Sequence, residues 1–551
     1  MINFRQYPDM TKVVIPDGVQ LSTAVLNNSF SSMKNLTNVQ FNHPNVTNMA
    51  FTYAYCTNLT GNPVCGPNVI HMDSTYAGCT NLTGSPVCGP NVIHMTLAYA
   101  DCTNLTGIAA CGPNVKSMES TYRDCTNLTT AICGPNVIHM DSTYNGCTNI
   151  TAAVCGNNVT HMNDTYRFCT NLTTAVCGPN VTNMSSTYSG CTNLTTAVCG
   201  PNVINMTSSY SDCINITMPV CGDKVTNMAY AYSGCTNITT AIYGPNVTNM
   251  AYAYQDCTNL TTAICGDKIT NMDGVYRNCT NLTGSPVCGP NVTTMANTYS
   301  RCTNLTGSPV CGPNVTNMAS TYYKCTNLTT AVCGDKVTNM ADTYAHCTNL
   351  TGSPVCGNKV TNMYYAYQNC TNLTTAVCGP NVTYMVGTYA NCTNITTAVC
   401  GDKVTNISAA YSGCTNITTA VCGNKVTNMA YAYQNCTNLT TAVCGPNVTN
   451  MARAYNGCSN LTGNAYIYSN NIANVQECFN GRYNTSALKI YVKKSTTSLT
   501  TLLRTNTSSM VGANITWTND IATNGCRYNT QYNIYIYPVA NVHDARIANG
   551  D

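Results

Sequence analysis

The sequence predicts a mainly β fold, a solenoid of about 20 short coils with a small β-rich C-terminal domain. Three observations predict it. A Cys-Thr-Asn-Leu-Thr motif, with small variations, recurs every 22 or 23 residues. Apolar residues keep fixed offsets between successive copies. Only 8% of the 551 residues are charged while 44% are hydrophobic, which supplies a core without a charged shell and argues against disorder.

Residues 1–55 read as an N-terminal cap and degenerate repeats. Met10, Met33 and Cys56 are each 23 apart, and Phe30 takes the place that Tyr53 holds later. Residues 56–478 form the regular array, with nineteen anchors from Cys56, Cys79 and Cys102 to Cys458. Leu or Ile follows each anchor by three residues, as Leu59 and Ile150 do. A second Cys comes eight or nine residues on (Cys65, Cys133), then Gly (Gly66, Gly89). Tyr stands three residues before every anchor (Tyr53, Tyr76, Tyr99) and Met seven before (Met72, Met95), with Ile407 the exception. One coil cannot bury its apolar side alone, so these residues are expected to stack as inward ladders. At a strand spacing of about 4.8 Å the array would be a rod of about 100 Å. The second Cys always precedes the next anchor by 14 residues, so the extra residue of the longer coils falls where GSPV or GNPV replaces TAV. That insertion predicts a bulge or loop on one edge. The Gly after the second Cys predicts a turn with positive φ.

Strings such as VTNMAYAYQNCTNLT (426–440) resemble the BspA-like leucine-rich repeat family, in its bacterial-surface branch. The resemblance covers about residues 10–478, with Tyr in place of the usual Phe and Cys in place of an aliphatic strand residue. It implies a right-handed leucine-rich-repeat solenoid with short strands on one side and irregular or 3₁₀ segments on the other. It also implies adhesion or interaction, not catalysis. After Cys458 the period fails. Residues 479–551 include ALKIYVKK, ANITWTND and NTQYNIYIYPVAN, which alternate as strands do, and read as a β-rich cap or attachment domain. The style of this tail resembles phage-encoded repeat proteins.

The chain has 38 Cys. Met10, Met33 and Tyr243 replace Cys at ladder positions, so an apolar packing role is favoured over a set of bridges. Stacked side chains about 4.8 Å apart also exceed the Cβ separation a disulfide prefers. The Asn-x-Thr strings at Asn58 and Asn81 predict an amide ladder in preference to glycan attachment. His71, His94, His139 and His161 each precede the ladder Met, a tolerant exposed position; no metal is expected. Lysines of the GDK and GNK turns, such as Lys224, read as solvated turn residues.

Variation concentrates in the two residues before each anchor. Arg123, Arg167, Phe168, Arg277, Arg301, Tyr323, Lys324 and His346 therefore mark the candidate binding edge.

A net charge of +3 gives no footprint for nucleic acid or membrane, and no apolar run approaches membrane-spanning length. Seven His and two Glu leave little material for acid–base chemistry, so neither an enzyme nor a cofactor is expected. The segment MINFRQYPDMTKVVIPDGVQ lacks the charged and apolar regions of a signal peptide. The expected function is a structural or adhesive protein, first of a bacteriophage virion contacting host or mucosal surfaces. A bacterial or protist cell-surface adhesin is the alternative, with an ice- or lattice-binding solenoid a third. The partners expected are other virion or surface proteins through a terminal domain, and a host-surface glycan or protein. A homo-oligomer is compatible with this reading.

Overall fold

The computed structural model describes residues 6–14, 26–40, 44–481, 488–493, 518–519, 527–529 and 534–549. The chain forms two compact units, Met1–Ile269 and Thr270–Asp551. Both are solenoids built from the same mainly β coil, one coil per sequence repeat.

The coil ending at Cys79 shows how the repeat folds. The N–H groups of Met72, Ser74, Tyr76 and Gly78 each donate to a carbonyl of the next coil at 2.8 Å (His94, Thr96, Ala98 and Ala100). The N–H groups between them turn back three residues: Thr75 to Met72, Ala77 to Ser74 and Cys79 to Tyr76. Alternate donors thus close a local turn or join two coils, and the backbone is satisfied without a long strand. Ser74 (φ 52°) and Gly78 (φ 72°) are left-handed. The resemblance implied 3₁₀ or irregular structure here; the arc is a run of linked turns. On the adjacent side a parallel ladder of single-residue bridges runs through the residue before each Met. It extends from Asn48 to Asn249 in the first unit and from Asn271 to Asn474 in the second.

The apolar offsets become the core in each unit. Val69, Met72, Tyr76, Cys79 and Leu82 are buried, as are their equivalents in later coils. Tyr53, Tyr76, Tyr99 and Tyr122 stack with centroids 5.2–5.7 Å apart. The Tyr76 hydroxyl accepts from the Val64 N–H (3.0 Å) and donates to the Val64 carbonyl (2.7 Å). This pairing explains Tyr over Phe, since the hydroxyl satisfies a backbone segment that the next coil leaves unpaired. Anchor thiols donate to the Tyr carbonyl of the preceding coil, as Cys79 does to Tyr53 (3.1 Å) and Cys102 to Tyr76 (3.0 Å). Every cysteine from Cys56 to Cys478 is a free thiol.

Two expectations change. The glycine after the second Cys is not left-handed: neither Gly66 nor Gly89 has positive φ. Its role is close approach. A Cβ on Gly89 would lie 2.9 Å from the Gly66 carbonyl oxygen and 3.0 Å from the Cys65 sulfur. Positive φ falls instead on the glycine of some longer coils, such as Gly61 (φ 86°) and Gly84 (φ 80°), and on the two arc positions. The asparagine ladder also has its tightest form elsewhere. Asn58 and Asn81 are exposed and their amides meet at 3.5 Å. The half-buried Asn before Met makes shorter rungs, Asn205 to Asn183 and Asn249 to Asn227 at 3.1 Å. The same Oδ1 also accepts the N–H two residues ahead, as from Ala229 to Asn227 (3.0 Å).

Regular strands are few. In the first unit β1 (Lys12–Val14) pairs in parallel with β2 (Asn38–Gln40). Strands β3 (Gly107–Ala109), β4 (Leu128–Ile132) and β5 (Ala152–Val154) form a parallel sheet. The extra residue of that longer coil is absorbed by a register shift between Gly107 and Ile108. In the second unit β6 (Ala442–Cys444), β7 (Asn464–Ile467) and β8 (Leu488–Lys493) continue coil upon coil in parallel. Next comes β11 (Ile534–Val539), parallel to β8, followed by β10 (Arg527–Asn529) and β9 (Thr518–Asn519), both antiparallel. Helix α1 (Val542–Ala548) buries Val542 against Tyr466 and Tyr491. The described residues of 479–551 thus extend the sheet of the last coils. They lie in the same compact unit as the preceding repeats.

Candidate functional site

Each coil reverses at two left-handed residues, five and one before the anchor Cys. Ser, Asp, Asn and Gly fill most of them, because short polar side chains or no side chain tolerate that conformation. Bulky residues there are outliers that cost about 1–2 kcal/mol each. Phe51 (φ 55°), Tyr55 (61°), Phe168 (60°), Arg301 (65°), Lys324 (60°) and His346 (64°) are among them. All six are exposed or half-buried.

The predicted edge residues lie on this left-handed border or directly beside it. Arg123 reaches Asp101 (3.2 Å) and Asp124 (3.4 Å). Arg167 lies over the Phe168 ring (4.7 Å) and meets Asp164 (3.4 Å). Burial raises the Asp164 carboxyl, and Arg167 opposes that. In the second unit Tyr323, Lys324 and His346 come together. The Lys324 ammonium sits 5.4 Å from the Tyr323 ring centroid, and His346 meets that ring edge-on at 5.4 Å. Burial, then Lys324, holds His346 below the usual imidazole value. Arg277 is half-buried and Arg301 exposed on the same border. Of the eight, Arg167 and Phe168 meet as a pair, Tyr323, Lys324 and His346 form one cluster, and Arg123 is held by aspartates.

Sequence reasoning missed the aromatic partners of this edge. A Cβ on Gly78 would lie 2.6 Å from the Tyr55 ring, and one on Gly190 would lie 2.5 Å from Phe168. Tyr365 covers Gly387 in the same way. Each ring therefore packs closely against the glycine of the next coil, and Arg167 and Tyr364 pack in turn on Phe168 and Tyr365. Tyr230 instead stacks on Tyr252 at 4.8 Å. The signal was present: an aromatic at a left-handed position followed one repeat later by Gly.

Other chemistry-bearing groups are structural. The His71 and His94 rings stack at 4.8 Å, and the His139 and His161 rings meet at 5.2 Å with a tilt of 40°. Among the described residues no group of three or more His, Cys, Asp or Glu could hold a metal ion. The second-column thiols lie near the ladder Met sulfur, as Cys65 does to Met72 (3.4 Å). Burial pushes Cys65 up to about 11 and Cys133 up to about 12, so these thiols stay protonated and unreactive at neutral pH. What the edge offers is contact surface: flat rings, cations and amides on a rigid frame.

This architecture defines a leucine-rich repeat solenoid. A family model described as BspA type leucine rich repeat region (6 copies) matches overlapping stretches at residues 3–129, 96–217, 168–283, 206–323, 273–396, 314–418 and 386–510. The chain belongs to that family. It is similar to a leucine-rich repeat protein from Bacteroides ovatus at 16% identity, over 57% of this chain and 86% of that one, with a TM-score of 0.49. It is also similar to a leucine rich cell surface protein from Faecalibacterium prausnitzii (17% identity, 62% and 86% covered, TM-score 0.36). An internalin from Listeria monocytogenes shares 13% identity over 56% and 78%, with a TM-score of 0.19. No curated protein matches the sequence.

Proposed function

We propose that this chain is a non-enzymatic adhesive scaffold displayed at a bacterial cell surface, which contacts its partner through the left-handed edge. The observation that carries this is the placement of bulky side chains where the backbone penalises them. Core positions repeat almost unchanged, yet Phe168, Arg301, Lys324 and His346 occupy positions that other coils give to Asp, Asn, Ser or Gly. Strain kept at exposed and half-buried positions on an otherwise uniform frame supports selection for contact. Family membership supports surface display and adhesion over catalysis. The narrower expectation of a bacteriophage appendage draws no support from the family or the fold.

The test is adhesion of the full chain, fluorescently labelled, to mammalian epithelial cells. A variant carries Phe168→Asp, Arg301→Asn, Tyr323→Ser, Lys324→Asn and His346→Asn, all residues that other coils use at equivalent positions. Binding should fall at least tenfold with the unfolding curve preserved. Equal binding by the variant would remove the edge from the reading, and no binding by the wild-type chain would sink the adhesive function. A membrane-impermeant biotin reagent applied to intact producing cells should label the chain; labelling only after lysis would contradict surface display.

A further inference from the structure

A different face of the first unit carries two shallow grooves of about 630 and 380 Å³ that share Asn114. One wall is the asparagine of the GPN turns; the other is the residue after the ladder Val. That second position is Thr in most coils, but here it is Ile70, Ile93 and Ile138, with Lys116 among them. The apolar strip is thus concentrated in these coils, with Ile204 the one isoleucine further on, and the neighbouring His71, His94 and His139 stand where most later coils carry Asn.

The amides of the asparagine wall are held in one orientation. Nδ2 of Asn68 donates to the Pro44 carbonyl (2.7 Å), Asn91 to Pro67 (2.9 Å) and Asn114 to Pro90 (2.9 Å). Each Oδ1 is left as the acceptor for a donor arriving from outside. Later coils of the same unit show such a donor. Where GDK replaces GPN, Lys224 Nζ donates to Asn202 Oδ1 (2.6 Å) and Lys268 to Asn246 (2.5 Å). No lysine occupies this position from Asn68 to Asn202, so no lysine of the following coil covers the oxygens from Asn68 to Asn180.

We infer that this groove binds a neutral, hydroxyl-rich polysaccharide laid across successive coils, an inference that rests on the adhesive reading above. Hydroxyls are the donors that a row of amide oxygens asks for, and the isoleucines offer an apolar shelf to the C–H faces of sugar rings. The groove contains no carboxylate and does contain Lys116, which disfavours a polycation. An extended peptide presents donors on one side only every about 6.8 Å, out of step with acceptors repeating every about 4.8 Å. An equatorially linked hexose chain advances by close to one coil per ring.

The experiment is calorimetric titration of the full reduced chain with hexaoses of β-1,4-glucose, β-1,3-glucose and β-1,4-N-acetylglucosamine, and with mannan. The variant Asn91→Lys with Asn136→Lys places ammonium groups on Asn68 and Asn114 in the arrangement that Lys224 makes with Asn202, so the coil already tolerates it. At least one probe should bind the wild type, with affinity lowered tenfold or more in the variant and the unfolding curve unchanged. Ile93→Thr, which installs the residue of most other coils, should weaken binding several-fold. Failure of every probe to bind the wild type, or equal binding by the lysine variant, overturns the groove. If the wild type still adheres to cells in either case, the adhesive reading survives without the groove; if it does not adhere, both fall.

Discussion

Gly334→Ala tests why the repeat keeps glycine after its second cysteine. The backbone there is not left-handed, so an ordinary Gly→Ala change would stabilise by about 0.4–1 kcal/mol through the unfolded state. The added Cβ, however, would lie 2.7 Å from Cys311 Sγ of the preceding coil, while the Gly312 oxygen at 3.5 Å is in normal contact. Overpacking of this kind costs about 1–3 kcal/mol. The net expectation is a loss of about 1–2 kcal/mol. Cys311→Ala removes the clashing atom at a cost of about 1 kcal/mol for the lost sulfur. The double variant should then be no less stable than Cys311→Ala alone, a coupling of about 1–2 kcal/mol. Gly244→Ala is the contrast, because its Cβ meets a backbone carbonyl, Gly222 O at 2.6 Å, that no side-chain deletion relieves. Long repeat arrays lose all-or-none unfolding, so the readout is hydrogen-exchange protection of the local coil under reducing conditions. Stabilisation by Gly334→Ala, or no rescue by Cys311→Ala, would refute the close-approach argument.

Tyr344→Phe should cost about 1–3 kcal/mol, since the hydroxyl serves both the Val332 N–H (2.8 Å) and the Val332 carbonyl (2.7 Å). Tyr166→Phe should be neutral or stabilising, because that buried hydroxyl has no partner; hydrogen exchange of the two variants separates the cases. Burial raises Cys133 and Cys177 from the ordinary thiol value of 9.0 to about 12. The unfolded chain therefore loses these protons first, so stability is intact below about pH 9 and falls as pH rises towards 12. Urea midpoints at pH 7, 9.5 and 10.5 should decline in that order, and a flat series would contradict buried neutral thiols. Alkylation without reductant should leave the anchor thiols unlabelled in the native chain and label every cysteine from Cys56 to Cys478 after unfolding. Cysteines still blocked in the unfolded chain would reveal bridges.

Much of the coil was legible because its period is strict. Val, Met, Tyr, Cys and Leu recur at fixed offsets, and each becomes a buried ladder in both units. Substitution of Cys by Met33 pointed to packing, and Met33 is buried; Tyr243 is instead exposed, and the cysteines from Cys56 to Cys478 are free thiols. The glycine after the second Cys was legible as a requirement but not as a reason. Positive φ and close approach leave the same letter in a sequence, and only the position of the preceding coil distinguishes them. The eight edge residues were legible as variable positions, while the left-handed strain at Phe168, Arg301, Lys324 and His346 was not.

The sequence by itself determined the repeat, the residues that face inward and the coil where an extra residue must be absorbed, because hydrophobic periodicity is a local property. Tertiary structure decided which groups of neighbouring coils meet. It set Cys79 on the Tyr53 carbonyl, Phe168 on Gly190 and Lys224 on Asn202. It also joined the tail to the sheet of the last coils through β7 and β8. These contacts depend on how far and at what angle one coil is displaced from the next. That displacement is fixed by the packing of the whole stack and is written in no single repeat.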